Sequence, residues 1–293
     1  MLIFNIVHIF IKERSLMSER KFAVIGHPIG HTMSPFIHQR LFALAHESGI
    51  YTVLDVSPDE LSVKIQALNE LAGYNITIPN KQAIIPYLDR LDRKAALYGS
   101  VNTVKNGEVR EGFTTDPDGF LKALEYANIS FSGNICIIGC GGAARTFLYE
   151  AALAGCHITL AARDMNKANA LAQEAVGNIP LADIKTSLIS ELDGEFDLLA
   201  NATPVGMYPN IDNMPVSETS LAKCKNVFDA VYNPLETVLI KKAKANGSNA
   251  VGGMSMLVWQ AVVAHEIWDG SVYNIDDIDQ LIEDSSTELK KIF

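Results

Sequence analysis

The stretch NICIIGCGGAARTF, residues 134–147, restricts the folds open to this chain more than any other. An apolar run of strand length enters a turn containing Gly139, Gly141 and Gly142, and a helical pattern through Ala143 and Ala144 leaves it. The spacing is G-x-G-x-x-A. Glycine at the first position permits a tight turn, glycine at the second lets backbone approach a pyrophosphate, and a small third residue lets helix pack closely on strand. The helix start then offers free N–H groups and the positive end of its dipole to the anion. A plain strand-to-helix turn also tolerates glycine, but the strand before and the helix after make dinucleotide binding the expectation.

The next strand bears on which dinucleotide. It ends in Ala161-Ala162-Arg163-Asp164, with Lys167 one helical turn further on. Arg163 and Lys167 can face a 2′-phosphate, where a bidentate charge-assisted contact favours NADP. Asp164 has two readings: it accepts from the ribose hydroxyls, as in NAD enzymes, or it is the N-cap of the helix starting at Met165. NADP is the expected cofactor, with NAD as the alternative.

At 293 residues the chain exceeds one ordinary core, so two domains are expected. Its 48% apolar and 20% charged content describes a core-forming globular protein. The formal net charge of −10 argues against a nucleic-acid surface, which needs clustered Lys and Arg. Cys136, Cys140, Cys156 and Cys224 form no CxxC pair and have no His partner at metal spacing, which predicts no metal site and a reducing, cytoplasmic compartment. The N-terminal MLIFNIVHIFIKERSLMSER holds an apolar stretch of eleven residues, but its charges follow the run and no small-residue cleavage site appears, so no signal peptide is expected. It is also short of the roughly 20 residues a membrane span requires. Residues 1–16 read as an N-terminal extension: either Met17 is the natural start, or the segment packs on the body as an extra strand or helix.

From Lys21 onward, short apolar runs alternate with amphipathic stretches, the pattern of βα units and a mainly parallel sheet. In the first series KFAVIG, YTVLDV and NITI read as strands. Ser34-Pro35 reads as N-cap and first helical position, with Ile37, Leu41, Leu44 and Ala45 on one face and Gly49 as the stop. Ser57, Pro58 and Glu60 read as a capping box. A second series has strands at NICIIG, HITLAAR, DLLANA, NVFDAV and NAVGG, and from Met254 the chain reads as helical. The fold class is therefore α/β. An N-terminal substrate domain with a mainly parallel sheet spans 17–117, a Rossmann-like dinucleotide-binding domain spans 118–253, and C-terminal helices over 254–293 pack back on the first domain.

Parallel α/β sheets bind ligands at the C-terminal ends of their strands. Polar residues of the first series gather at such ends: Thr32 and Ser34 after the first strand, Asn75, Thr77 and Lys81 along and after the third, Asn102 and Thr103 in YGSVNTV, and Asp116 in EGFTTDPDG. Hydroxyls, amides, one cation and one carboxylate suit a small polyhydroxylated acid. Lys81, in GYNITIPNK, admits two readings on its own: a solvated cation at a helix start, or a proton donor held at a strand end.

These residues carry a family resemblance. The chain resembles shikimate dehydrogenase at GHPIGHTMSPFIH (26–38), GYNITIPNK (73–81), SVNTV (100–104), GFTTDPDG (112–119), GCGGAA (139–144), NATPVGM (201–207), DAVYNP (229–234) and GMSMLVWQA (253–261). The likeness runs in order over nearly the whole chain after Met17. It implies reversible hydride transfer between NADP and the ring carbon that is a ketone in 3-dehydroshikimate and a hydroxyl in shikimate. By the same likeness Lys81 and Asp116 are the catalytic pair, and Thr32 and Ser34 bind the substrate carboxylate. Asn75, Thr77, Asn102 and Gln260 hold the ring hydroxyls, and Tyr232 reaches the substrate. Gly253 and Met256 border the nicotinamide, and Asn201, Thr203 and Met207 form the cofactor wall. The chemistry agrees: ketone reduction puts negative charge on oxygen, an ammonium can stabilise that charge and supply the proton, and a carboxylate beside it can hold it in place. A non-catalytic dinucleotide sensor would have no reason to keep both Lys81 and Asp116.

Departures from the family pattern define the alternatives. Thr32 replaces a serine in the carboxylate loop, and its methyl crowds the ring, which bears on shikimate against quinate. Ala162-Arg163-Asp164 stands where the family commonly has Asn-Arg-Thr, which bears on NADP against NAD. A quinate/shikimate dehydrogenase using NAD or NADP is accordingly the alternative activity. Thr114 and Gln39 each replace an asparagine without removing an ionisable group. The partners expected are a small-molecule substrate, no nucleic acid and no membrane, with a homodimer among the assemblies allowed. His31 and His38 read as structural, Cys140 as a filler, Trp259 and Trp268 as core, and the acidic-then-basic tail as an amphipathic helix.

Overall fold

The computed structural model describes residues 19–30 and 32–292. The N-terminal extension, the alternative start at Met17 and His31 lie outside the described residues. The first body runs through β1 (Arg20–Gly26), α1 (Ser34–Leu44), β2 (Gly49–Asp55), α2 (Leu61–Leu68), β3 (Gly73–Ile76), the short α3 (Asn80–Ala83), β4 (Arg90–Leu91), α4 (Arg93–Tyr98), β5 (Thr103–Lys105) and β6 (Glu111–Phe113). Helix α5 (Asp116–Tyr126) leads into the second: β7 (Asn134–Ile138), α6 (Gly142–Leu153), β8 (His157–Ala162), α7 (Met165–Asn178), β9 (Asp183–Leu188), β10 (Phe196–Asn201), α8 (Glu218–Leu221), β11 (Cys224–Asp229), α9 (Val238–Ala245) and β12 (Asn249–Val251). Two long helices follow, α10 (Met254–Asp269) and α11 (Ile275–Ile292).

Each series closes its own sheet. The first has the order β2-β1-β3-β5-β6-β4, with β1 parallel to β2 and β3, β4 parallel to β6, and β5 antiparallel to both neighbours. The second is parallel throughout, in the order β12-β11-β10-β7-β8-β9. Its central strands β7, β8 and β10 are nearly continuous apolar runs because helices cover both faces. In β1 the alternation is visible: Ala23 and Ile25 face a core with Tyr74, Ile76 and Val104, while Phe22 and Val24 face Phe42, Tyr51 and Trp268.

Four strands carry no periodic signal strong enough to read: β4, β5 and β6, each of two or three residues, and the edge strand β9. Two boundary expectations are corrected. The first helix ends at Leu44, His46 takes the left-handed backbone (φ 54°), and Gly49 is the first residue of β2 rather than a helix stop. Ser34 is the first helical residue, and the N-cap is Met33, with no side-chain cap. The Glu60 carboxylate accepts from the Ser57 N–H at 3.1 Å, the return bond of a capping box, and also from the Ser57 hydroxyl at 2.8 Å.

The C-terminal helices return to the first sheet. On α10, Trp268 is buried against Phe22 and donates its indole N–H to the Val104 carbonyl at 2.9 Å. On α11, Ile278, Leu281, Ile282 and Leu289 pack with Ile37 and Leu41 of α1 and with Val258 of α10. The core of the second body is aromatic, with Phe120 of α5 stacked on Phe147 of α6 at 4.0 Å and edge-on to Phe228 of β11.

Candidate active site

Of two adjoining cavities, one is lined by both bodies and the other by the second body alone. The first, about 500 Å³, takes Thr32, Ser34, Asn75, Thr77, Lys81, Asn102 and Asp116 from the first body. From beyond it come Ala143, Met207, Tyr232, Gly253, Met256 and Gln260. The second, about 430 Å³, is lined by Gly139, Gly141, Arg163, Asp164, Lys167 and Thr203.

The first wall is built at strand ends. β3 brings Asn75 to the sheet's C-terminal edge, and the turn after it leads into α3, which carries Lys81. Asp116 opens α5, where a carboxylate is favoured by the positive end of the helix dipole, and Pro117 follows in its first turn. Lys81 Nζ donates to Asp116 Oδ2 at 2.5 Å, with both side chains mostly buried. The other Asp116 oxygen accepts from Asn102 Nδ2 at 2.8 Å. Asn102 is fixed in turn, its Oδ1 accepting from the Thr115 N–H at 2.8 Å and from the Thr103 hydroxyl at 3.1 Å. Asn75 donates to Thr103 Oγ1 at 3.0 Å and accepts from the Tyr51 hydroxyl at 2.6 Å. Burial raises the Tyr51 phenol well above the ordinary tyrosine value and also raises that of Tyr232, so both remain neutral hydrogen-bonding groups.

Tyr51 and Thr115 complete this network without having been singled out in the sequence. Tyr51 sits inside an apolar strand and reads as a core aromatic, and Thr115 is obscured by the aspartate after it. At the carboxylate loop, Thr32 Oγ1 donates to Ser34 Oγ at 3.1 Å and accepts from the Ser34 N–H at 3.2 Å, which brings the two hydroxyls together.

The second cavity tests the dinucleotide motif directly. Gly139 has φ 109°, and a Cβ there would lie 2.8 Å from Thr203 Cγ2, so the turn requires glycine. A Cβ on Gly141 would meet nothing within 4 Å and would project into open space, the space a pyrophosphate needs. Gly142 begins α6, whose N-terminus has no side-chain cap and keeps its N–H groups free for an anion. Ala144 is fully buried, as close packing of helix on strand demands. These residues fit a dinucleotide.

Arg163 and Lys167 are exposed beside this cradle. Asp164 is the N-cap of α7, its Oδ1 accepting from the N–H groups of Asn166 at 3.1 Å and Lys167 at 3.2 Å. Its other oxygen lies 3.7 Å from Lys167 Nζ. Asn201 is placed behind the wall rather than on it: it is fully buried, lines neither cavity, accepts from Thr203 N–H and hydroxyl at 3.0 and 2.7 Å, and donates to Asp229 at 2.8 Å. Met207 lies with the first cavity rather than the second.

Asp229 gives a pH signature. Burial pushes its carboxyl up to about 6, against hydrogen bonds from Thr237, the Val231 N–H and Asn201. A carboxyl with a raised folded pKa binds its proton more tightly in the folded chain. Its stabilisation is therefore fully present below the ordinary value of 3.8 and is lost as pH rises through about 6. Urea unfolding of Asp229→Asn should give a flatter stability profile over that window than the parent. An unchanged slope would refute the assignment.

Among the described residues, no cluster of His, Cys, Asp or Glu could hold a metal ion, and no helix is long and apolar enough to cross a membrane. His38 is buried and stacked on Tyr51 at 4.0 Å, and Trp268 is in the core. Cys140 packs partly buried against the core of the second body. Trp259 is only partly buried, with Lys122 5.5 Å above its ring.

Two α/β bodies meeting at a cleft, one presenting an ammonium–carboxylate pair and the other a pyrophosphate cradle, form the arrangement of a nicotinamide-dependent oxidoreductase. Comparison with known proteins narrows this class. Residues 24–104 match the family model described as the shikimate dehydrogenase substrate binding domain. The shikimate dehydrogenase (NADP(+)) of Methanocaldococcus jannaschii is 39% identical over 274 residues, 90% of this chain and 96% of that protein. That of Caldanaerobacter subterraneus is 37% identical over 262 residues, 87% of this chain and 93% of that one. The solved shikimate 5-dehydrogenase of Thermus thermophilus, in complex with NADP(H) and shikimate, superposes with a TM-score of 0.82 at 30% identity, covering 91% of this chain and 99% of its own. The chain belongs to the shikimate dehydrogenase family.

Proposed function

We propose that this chain catalyses the reversible reduction of 3-dehydroshikimate to shikimate with NADP(H), a step of chorismate and aromatic amino-acid biosynthesis, using Lys81 and Asp116 at the reacting carbon. The observation that carries this reading is the 2.5 Å contact between those two groups in the wall of a cavity that also holds two paired hydroxyls and three amides. When bound, the dinucleotide supplies or accepts the hydride. The chain's own residues do the rest. Lys81 Nζ donates a proton to the ring oxygen as negative charge develops on it. Asp116, held by Asn102, fixes the direction of that ammonium. Thr32 and Ser34 offer hydroxyl donors to the substrate carboxylate, and Asn75, Thr77, Asn102, Tyr232 and Gln260 surround the ring hydroxyls.

Gly139, Gly141, Gly142, Ala143 and Ala144 would hold the pyrophosphate end, Arg163 and Lys167 the 2′-phosphate, and Thr203, Met207, Gly253 and Met256 the remaining wall. Asn201 acts through Thr203. The proposed division places the substrate domain over 17–117 with helices 254–293, and the cofactor domain over 118–253. The described cysteines are free thiols, in keeping with a reducing cytoplasm. Light scattering will distinguish a monomer from a homodimer.

Asp164 and Thr32 support a second reading, a quinate/shikimate dehydrogenase that uses NAD as well. Asp164 sits beside the cradle and is half exposed. Its N-cap bonds engage one oxygen, and its ion pair with Lys167 lowers the charge offered to a 2′-phosphate. Absorbance of the reduced nicotinamide in four mixtures, shikimate or quinate with NADP or NAD, separates the two. Shikimate with NADP is expected to turn over best, and a clear preference for quinate with NAD would overturn the first reading. Arg163→Ala is expected to raise the KM for NADP about 10- to 100-fold, the loss of one charge-assisted contact, and to leave that for NAD nearly unchanged. Equal effects on both cofactors would remove Arg163 from the 2′-phosphate.

A further inference from the structure

One buried ionisable group at the junction of the bodies has no part in the chemistry described so far. Glu150 of α6 is 8% exposed, and its Oε1 accepts from the Tyr98 hydroxyl at 2.5 Å, with Lys94 Nζ 4.0 Å away. Tyr98 ends α4 in the first body, yet its fully buried ring belongs to the core of the second, 5.0 Å from Tyr149. Arg145 of α6 donates to the Tyr98 carbonyl at 3.2 Å and is itself held by Glu174 at 2.8 Å. At the other end of α4, Lys94 pairs with Asp118 at 2.7 Å, in the first turn of the helix that Asp116 opens. A short helix is thus tied both to the helix that starts at the glycine turn and to the helix that starts at the catalytic carboxylate.

The chain leaving Tyr98 goes straight to the reacting groups. Gly99 turns it in the left-handed region (φ 57°), the Val101 N–H donates to the Lys81 carbonyl at 2.9 Å, and Asn102 donates to Asp116 at 2.8 Å. Hydrogen bonds to Tyr98, the short run of chain after it, and hydrogen bonds from Val101 and Asn102 therefore connect α6 to both members of the pair. A phenol donating to a buried carboxylate makes a short, strong bond, and the low-dielectric surroundings strengthen it.

We infer that Tyr98 and Glu150 are positioning residues for the reaction: their bond sets where α6 holds the dinucleotide relative to Lys81 and Asp116. The inference rests on the proposed role of that pair. Contacts that bind substrate lie mainly on the first body and contacts that bind cofactor on the second, so loosening the tie leaves both affinities in place. Transfer is different, because it depends on the distance between the two reactants. Misplacement by about 1 Å can cost about 100-fold in rate.

Tyr98→Phe alone leaves a buried carboxylate without its donor, so the primary test replaces both partners with apolar groups of similar shape, Tyr98→Phe with Glu150→Met. In this double variant kcat is expected to fall about 10-fold, with both KM values within about twofold of the parent. The primary isotope effect from NADPH deuterated at the transferring position should rise, a change that a merely structural role would not produce. Tyr98→Phe, the second variant, should move kcat in the same direction. Glu150→Gln keeps an acceptor for the phenol and should restore most of the rate. A folded double variant with the parent's kcat and isotope effect would overturn the inference, as would a Glu150→Gln loss equal to that of the double variant. Parent turnover of 3-dehydroshikimate reads the proposed function separately, and the variant-to-parent ratio reads this inference.

Discussion

Replacing Lys81 with alanine is expected to lower kcat for 3-dehydroshikimate reduction by about 100- to 10,000-fold, the usual contribution of a positioned proton donor. The substitution removes the cation that faces the developing alkoxide and leaves Asp116 with Asn102 as its remaining side-chain partner among the described residues. Water can enter the space but carries no fixed charge there. Affinity for NADPH, read by fluorescence titration, should stay close to that of the parent, because the residues lining the dinucleotide cradle are in the adjoining cavity. The loss should therefore appear in kcat and not in cofactor binding. A Lys81→Ala protein with parental turnover would remove the proton-donor role and with it the proposed mechanism.

Trp268→Ala should destabilise the protein by about 3–5 kcal/mol, the range for truncating a large buried aromatic. Trp268 is 6% exposed, lies 4.7 Å from the Phe22 ring centroid, and donates to Val104 at 2.9 Å across 164 residues of sequence. Truncation opens a cavity against the β1 face and leaves the Val104 carbonyl without that donor. Because α10 also carries Met256 and Gln260 to the cleft, the damage should reach the active site, with a raised KM for substrate. Urea unfolding followed by far-ultraviolet circular dichroism measures the first effect. A loss below about 1 kcal/mol would mean that the helix is docked mainly by other contacts.

Much of the architecture was legible because it depends on local patterning. The strand–glycine–helix stretch at 134–147 reads correctly because only glycine suits the φ of 109° at Gly139. The central parallel strands β1, β7, β8 and β10 read correctly because burial on both faces makes them largely apolar. Strands β4 to β6 were not legible, since two or three residues hold no period, and what orders them is pairing with neighbours. Gly49 reads as a stop because glycine commonly ends a helix, and only pairing with Arg20 makes it the first residue of β2. Neither Asn201 nor Asp164 could be decided from residue type. An amide at a strand end suits a ligand or a buried carboxylate equally, and an aspartate before a helix suits a ribose or a cap.

The sequence by itself determined the α/β class, the two series of strands, the dinucleotide turn and the family to which the chain belongs, since each follows from residue type and spacing within a few dozen positions. Only the tertiary structure decided that Lys81 and Asp116, 35 residues apart, meet at 2.5 Å, that Trp268 closes the first sheet, and that Tyr98 enters the other body's core. The physical reason is that such contacts depend on where sheets and helices finally stack, which is a sum of burial over the whole chain rather than a property of any one segment.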